Sequence, residues 1–168
     1  MRQGIAMVAA VVMLAVAAPS ASAAFGVESF SADVLDQSND VVTQAGSTPY
    51  TGVTDFKFKK TALGGPDGNV KDIRVDLPPG LISNPEATPK CSETDFPSCP
   101  ADTQLGTETL TTAVVPLVPV TLTVPVYNMV PDAVQVSKFS FNVPVVGRTD
   151  IIGGLRDTGD YGLFFTIS

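Results

Sequence analysis

From Asp72 to Leu77 apolar and charged residues alternate without a fault, Ile73, Val75 and Leu77 against Asp72, Arg74 and Asp76. A period of two with one apolar and one charged face predicts a half-buried strand. The same period recurs along most of the chain. Residues 54–59 place Phe56 and Phe58 on one side. Val120, Leu122, Val124 and Val126 alternate against Thr121, Thr123, Pro125 and Tyr127. Val134 and Val136 lead into Phe139, Phe141 and Val143, with a slip of phase at Ser137-Lys138 that predicts a bulge. Residues 25–30 read as the first strand and 145–152 as a late one. Tyr161, Leu163, Phe165 and Ile167 form the last, on which Phe164 breaks the alternation. Residues 33–40 hold too few apolar positions for more than a short helical turn, and no sustained 3.6 period occurs after residue 23.

Proline and glycine punctuate this pattern. Pro78-Pro79 ends the strand at 72–77, because neither ring can donate to a ladder. Pro85, Pro89, Pro97 and Pro100 follow closely. Residues 78–100 therefore cannot lie inside a sheet and are expected as an extended connector, turning at 83–85 and around the cysteines. Pro116, Pro119 and Pro125 push parts of the second half to an edge or a bulge. Turns are expected at 62–69, 128–132, Gly153-Gly154 and 157–160. Short strands separated by turn residues predict an all-β fold, a β-sandwich or jelly-roll-like domain, with a Pro-rich, disulfide-pinned connector between two β-rich halves.

The first residues belong to a different pattern. Arg2 precedes an uncharged apolar run over residues 5–18, and Ala21-Ser22-Ala23 forms an A-x-A cleavage site. Residues 1–23 read as a signal peptide, too short and wrongly flanked for an anchor. Residues 24–168 then read as a single β-rich domain, exported to the exterior or the cell envelope, with no later segment apolar enough to insert in a membrane. Only two cysteines are present. In an oxidising compartment Cys91 and Cys99 are expected as a disulfide, with two free thiols as the alternative.

Charge narrows the partners. Arg2 leaves with the leader, so nine basic residues face seventeen acids. That balance argues against nucleic acid and anionic membranes, both of which need a basic patch. The cluster Lys57, Lys59 and Lys60 alternates with the phenylalanines and reads as a solvent face.

Histidine and tryptophan are absent. Histidine-dependent nucleophilic sites, histidine bases and histidine metal sites are therefore excluded. The cysteine spacing matches neither a redox nor a zinc C-x-x-C pair. Asp67, Asn69 and Asp72 could offer oxygens to calcium, as could Asp157 and Asp160, but both groups have turn composition and lack the spacing of a calcium loop. Tyr50, Tyr127 and Tyr161 lie beside turn residues and are expected to pack rather than to recognise a ligand. A paired-carboxylate hydrolase is the remaining enzymatic reading and the weakest. No catalytic residue, metal or cofactor is assigned.

Several motifs in order resemble an uncharacterised β-rich domain of large secreted actinobacterial proteins. They are Asp76-Leu-Pro-Pro-Gly80, Cys91 through Cys99-Pro-Ala-Asp-Thr-Gln-Leu-Gly106, Pro125-Val-Tyr-Asn128 and Gly159-Asp-Tyr-Gly162. The starts at 25–30 and 44–50 are similar as well. The resemblance spans nearly the whole mature chain. It implies export and a surface role, with further domains after residue 168, and no activity. The expectation is a secreted, non-catalytic structural or cell-envelope-associated module. The alternative is a binding module for a surface glycan or protein, with the Ser92–Ser98 loop as its first candidate contact.

Overall fold

The computed structural model describes residues 25–62, 64–115, 118–144, 146–157 and 159–168, with the backbone alone for 112–115. The expected leader and Val145 lie outside the described residues. The chain is all-β, with two antiparallel sheets. The smaller pairs β1 (Val27–Leu35) with β2 (Thr51–Phe58). The larger is six-stranded in the order β3-β8-β7-β6-β5-β4. Its members are β3 (Ile73–Asp76), β4 (Gln104–Val115), β5 (Val118–Met129), β6 (Ser137–Val143), β7 (Gly147–Leu155) and β8 (Leu163–Ile167).

This order corrects the expected plan. The proline-rich connector does not link two β-rich halves. It links the two opposite edges of one sheet, leaving β3 at one edge and entering β4 at the other. The meander β4 to β8 then walks back until β8 pairs with β3, Ile73 opposite Ile167 and Asp76 opposite Phe164.

Register sorts the side chains by face, because successive residues of a strand point to opposite sides. One face carries Val124 and Val126 of β5, Phe139, Phe141 and Val143 of β6, Ile151 of β7 and Phe165 of β8. Val124, Phe141 and Val143 are its buried centre, with Leu110, Leu122, Val126 and Ile151 packed against them. The other face carries Lys138 and Ser140 of β6, Arg148 and Asp150 of β7, and Arg74 of β3. There Phe164, the residue that breaks the alternation of β8, lies 3.9 Å from the guanidinium carbon of Arg74.

Three local expectations change. β1 runs through Asp33 to Leu35, where a helical turn was expected, because β2 offers Thr51, Gly52 and Val53 as ladder partners. The turn comes afterwards, with the Asp36 carboxylate accepting from the Ser38 and Asp40 amides. Ser137-Lys138 is not bulged; β6 pairs with β7 in unbroken register. Gly153 and Gly154 are strand residues, opposite Phe165 and Phe164. A Cβ on Gly154 would sit 2.5 Å from Phe164 Cζ, and one on Gly153 would strike the Ser137 hydroxyl. Glycine inside a strand marks such a close approach.

Proline placement in β5 follows from the same geometry. The Asn128 carbonyl accepts from the Cys91 amide at 2.7 Å, on the edge away from β6. Even-numbered residues of β5 thus turn their backbone groups towards β4, and Pro119 and Pro125 turn theirs towards β6. Yet β6 pairs with β5 only at Tyr127, Asn128 and Met129. The prolines occupy positions whose missing N–H has no strand to meet.

Replacing Gly154 with alanine should lower stability by about 1–3 kcal/mol through overpacking against Phe164. Urea unfolding reads this directly, and a loss below about 0.5 kcal/mol, the range of a neutral surface change, would contradict the close packing of β7 on β8.

Candidate functional site

The only dense polar cluster described lies where the connector crosses the sheet. Cys91 and Cys99 are joined, with Cα atoms 5.6 Å apart. Cys91 is 1% exposed. It lies alongside β5 in a parallel bridge with Met129, accepting from the Val130 amide as well as donating to Asn128. The connector is thus held at the same edge of β5 that β4 occupies further along.

From this edge the loop 92–98 reaches over the charged face. Glu93 Oε1 accepts from Lys138 Nζ at 2.6 Å and from Arg148 Nη2 at 3.1 Å, and Oε2 accepts from Arg148 Nη1 at 2.5 Å. The pairing with Arg148 is bidentate, the strongest form of carboxylate recognition. Arg148 Nε also donates to Asp150 Oδ1 at 2.6 Å, and Ser140 donates to the same oxygen at 2.6 Å while accepting from Arg148 Nη2. The Arg148 guanidinium lies 4.6 Å from the centre of the Phe96 ring. Ser140 is fully buried and Lys138 is 8% exposed. The Arg148 hydrogen bonds, followed by the one from Lys138, hold the Glu93 carboxyl at about 2, and Glu93 in turn raises Arg148.

Two further anchors hold the rest of the connector. Arg156 donates to the Leu77 carbonyl at 3.0 Å and the Leu163 carbonyl at 2.9 Å, and grips Asp160 through two nitrogens. The Arg156 hydrogen bond, with the Gly162 amide second, lowers the Asp160 carboxyl to about 2. Asn128, expected in a turn, is instead buried in β5. Its Nδ2 donates to the Pro85 carbonyl at 3.1 Å and the Thr88 carbonyl at 2.8 Å. Asn128 shares its face with Phe139, while Glu93 meets the opposite one. The connector therefore passes from one face, around the edge at Cys91, to the other.

The candidate residues from the sequence fare differently. The Cys91–Cys99 bond is present. Lys57, Lys59 and Lys60 are exposed. Asp72 lies 3.9 Å from Lys71, and Asp160 is taken up by Arg156. Among the described residues no three Asp, Glu or Cys side chains are grouped to hold a metal ion. Tyr127 is half-buried, but Tyr50 and Tyr161 are each 70% exposed and do not pack as expected. The sequence reading missed Glu93, Lys138, Arg148 and Asn128. The one available signal was the slip at Ser137-Lys138, which marks the start of β6 rather than a bulge, Val134 and Val136 lying before the strand.

A groove of about 430 Å³ lies elsewhere, between β3 and the β1–β2 hairpin, lined by Phe25, Phe30, Phe56, Phe58, Ile73 and Val75 among others. No helix of the described residues is long and apolar enough to cross a membrane. Comparison with protein-family models, with curated proteins and with solved structures found no match to the chain.

Replacing Glu93 with glutamine strands the nearly buried Lys138. Because Glu93 itself is half exposed, the loss at pH 7 should be about 1–3 kcal/mol, below the full cost of breaking a buried pair. A depressed carboxylate stabilises above its unfolded value of about 4.3 and stops doing so as pH falls through its folded value. The difference in melting temperature between wild type and variant should therefore hold above pH 4.5 and close towards pH 2. A difference independent of pH would remove the ion pair as its cause.

Proposed function

We propose that the chain is a non-catalytic β module, exported from the cell, that serves as a structural or cell-envelope-associated unit of a longer secreted protein. One observation carries this reading. The ionisable groups that folding gathers, Glu93, Lys138, Arg148 and Asp150 on one side and Arg156 with Asp160 on the other, are engaged with one another and with the connector. Their hydrogen bonds hold chain to chain. The hydroxyl among them, Ser140, is fully buried and bonded on both sides. A cluster so arranged fixes a loop, and that is what a structural module requires of its polar groups.

The disulfide supports an oxidising destination, and the basic, apolar and A-x-A order of the first residues supports export. The acidic balance supports a partner that is neither nucleic acid nor an anionic membrane surface.

Expression of the full chain in an export-competent bacterium tests the reading. The protein should be recovered outside the cytoplasm with Ala24 as its first residue and no alkylatable thiol by mass spectrometry. Retention in the cytoplasm with residues 1–23 attached would defeat the proposed destination. Turnover of any polysaccharide that disappears on Asp→Asn substitution would defeat the non-catalytic role.

A further inference from the structure

β4 is the outermost strand of the large sheet and, with twelve residues, as long as any strand in it. No described residue bonds to its outer edge. Its register with β5 is regular between two irregularities, at Gln104/Gly106 and Ala113/Val115. Even-numbered residues of β5 turn their backbone groups towards β4, and their partners are Gly106, Glu108 and Leu110. Thr107, Thr109 and Thr111 therefore turn their N–H and C=O groups outward, free to pair. Natural edges of this length are protected by lysine, proline, brevity, bulges or an inward-pointing charge, and the two irregularities of β4 lie at its ends, leaving the stretch between them regular. Between Gln104 and Val115 there is no lysine and no proline, and Glu108 is the only charge.

We infer that the outer edge of β4 is a self-association edge gated by Glu108, and that neutralising this carboxylate lets two copies of the chain pair β4 against β4 about a two-fold axis. The edge is self-complementary. An antiparallel pairing centred on Thr109 sets Thr107 of each copy opposite Thr111 of the other. It thus repeats the threonine pairs that β4 already makes with β5, Thr109 with Thr123 at 3.1 Å and Thr111 with Thr121 at 3.0 Å. An interface made of one patch used twice closes as a dimer.

Charge decides both the occupant and the gate. Glu108 projects on the apolar face, directly across from Val124. The elements packed there turn Val124, Phe141, Val143 and Ile151 towards that face. The charged residues of β6 and β7, namely Lys138, Arg148 and Asp150, lie on the opposite face, and β5 has none. Among the described residues Glu108 thus has no counter-ion, and desolvation raises its carboxyl above the ordinary range. In the two-fold pairing each Glu108 faces Leu110 of the other copy, with the second Glu108 on the diagonal about 7–8 Å away. Two half-buried like charges at that distance oppose the dimer, and protonation removes the opposition.

Sedimentation velocity of the mature chain tests the inference. Wild type should be monomeric at pH 7 and should associate as pH falls and Glu108 takes up its proton, before the Glu93 clamp, held at about 2, loses its charge. Glu108→Gln should dimerise at pH 7 at a concentration at least about tenfold lower than wild type. Adding Thr109→Pro should return that variant to monomer, since the lost N–H faces outward and the ladder to β5 is untouched. If Thr109→Pro loses strand signal in circular dichroism, the pair Thr107→Lys and Thr111→Lys replaces it, setting lysines opposite one another across the axis. A monomeric Glu108→Gln protein, a wild-type dimer at pH 7, or association that survives the edge blocks would each overturn the inference.

Discussion

The chain leaves its large sheet at one edge and must re-enter it at the other. That topological demand governs most of what is unusual in the structure. A crossing from β3 to β4 spans the width of six strands. Its prolines prevent it from joining the sheet as a strand. Its carbonyls and amides still need partners wherever they approach the sheet closely. The sheet supplies them at separate points: Arg156 at Leu77, Asn128 at Pro85 and Thr88, and the exposed edge of β5 at Cys91. The disulfide adds a different constraint. Both cysteines belong to the crossing, so their bond shapes the loop and fastens nothing to the sheet. Closing so short a loop contributes roughly 2–3 kcal/mol by the chain-entropy model. Attachment to the sheet is left to Glu93, Phe96 and the backbone of Cys91.

β6 bears the consequence. A strand with one wet face would alternate apolar and polar residues, and β6 does so: Phe139, Phe141 and Val143 against Lys138, Ser140 and Asn142. The crossing covers the polar side near Lys138 and Ser140 and removes both from water. A buried lysine is costly unless paired, and the pairing comes from the loop that buried it. The carboxylate that neutralises Lys138 is also the one that Arg148 grips, and Arg148 is oriented by Asp150 and Ser140. Such a network contributes less net stability than its short distances suggest, because desolvation offsets much of the attraction. What it does determine is the position of the loop, since the one Glu93 carboxylate meets Lys138 and Arg148 together.

Strand existence and the disulfide were legible in the sequence because their causes are local or compositional. The alternation at Asp72–Leu77 and the Phe56, Phe58 pair each report a half-buried strand within a few residues. Only two cysteines exist to pair. The roles of Asn128, Gly153 and Gly154 were not legible, although each looks like a turn residue. Asn128 is held in a strand because Pro85 and Thr88, some forty residues earlier, present carbonyls to it. The two glycines are in a strand because Phe164 and Phe165 of β8 lie over them. In each case the deciding partner is remote, so no local window contains it. The glutamate–lysine–arginine cluster was hidden for the same reason: Glu93 lies 45 residues from Lys138 and 55 from Arg148.

The β4–β5 ribbon shows how the exposed boundaries of such a sheet are managed. Once β6 has turned away beyond Tyr127, β5 has a second open side, and the residues that turn their backbone groups there include Pro119 and Pro125. Proline removes the donor from that side and with it half of a ladder bond. The outer side of β4 has no such protection, and threonine fills its outward positions. The single carboxylate of β4 stands on the apolar face, where burial makes its charge most costly and a neighbouring copy would make it costlier still. One side of the ribbon is closed by covalent geometry and holds under all conditions. The other depends on ionisation, which makes its protection conditional on the protonation state of Glu108.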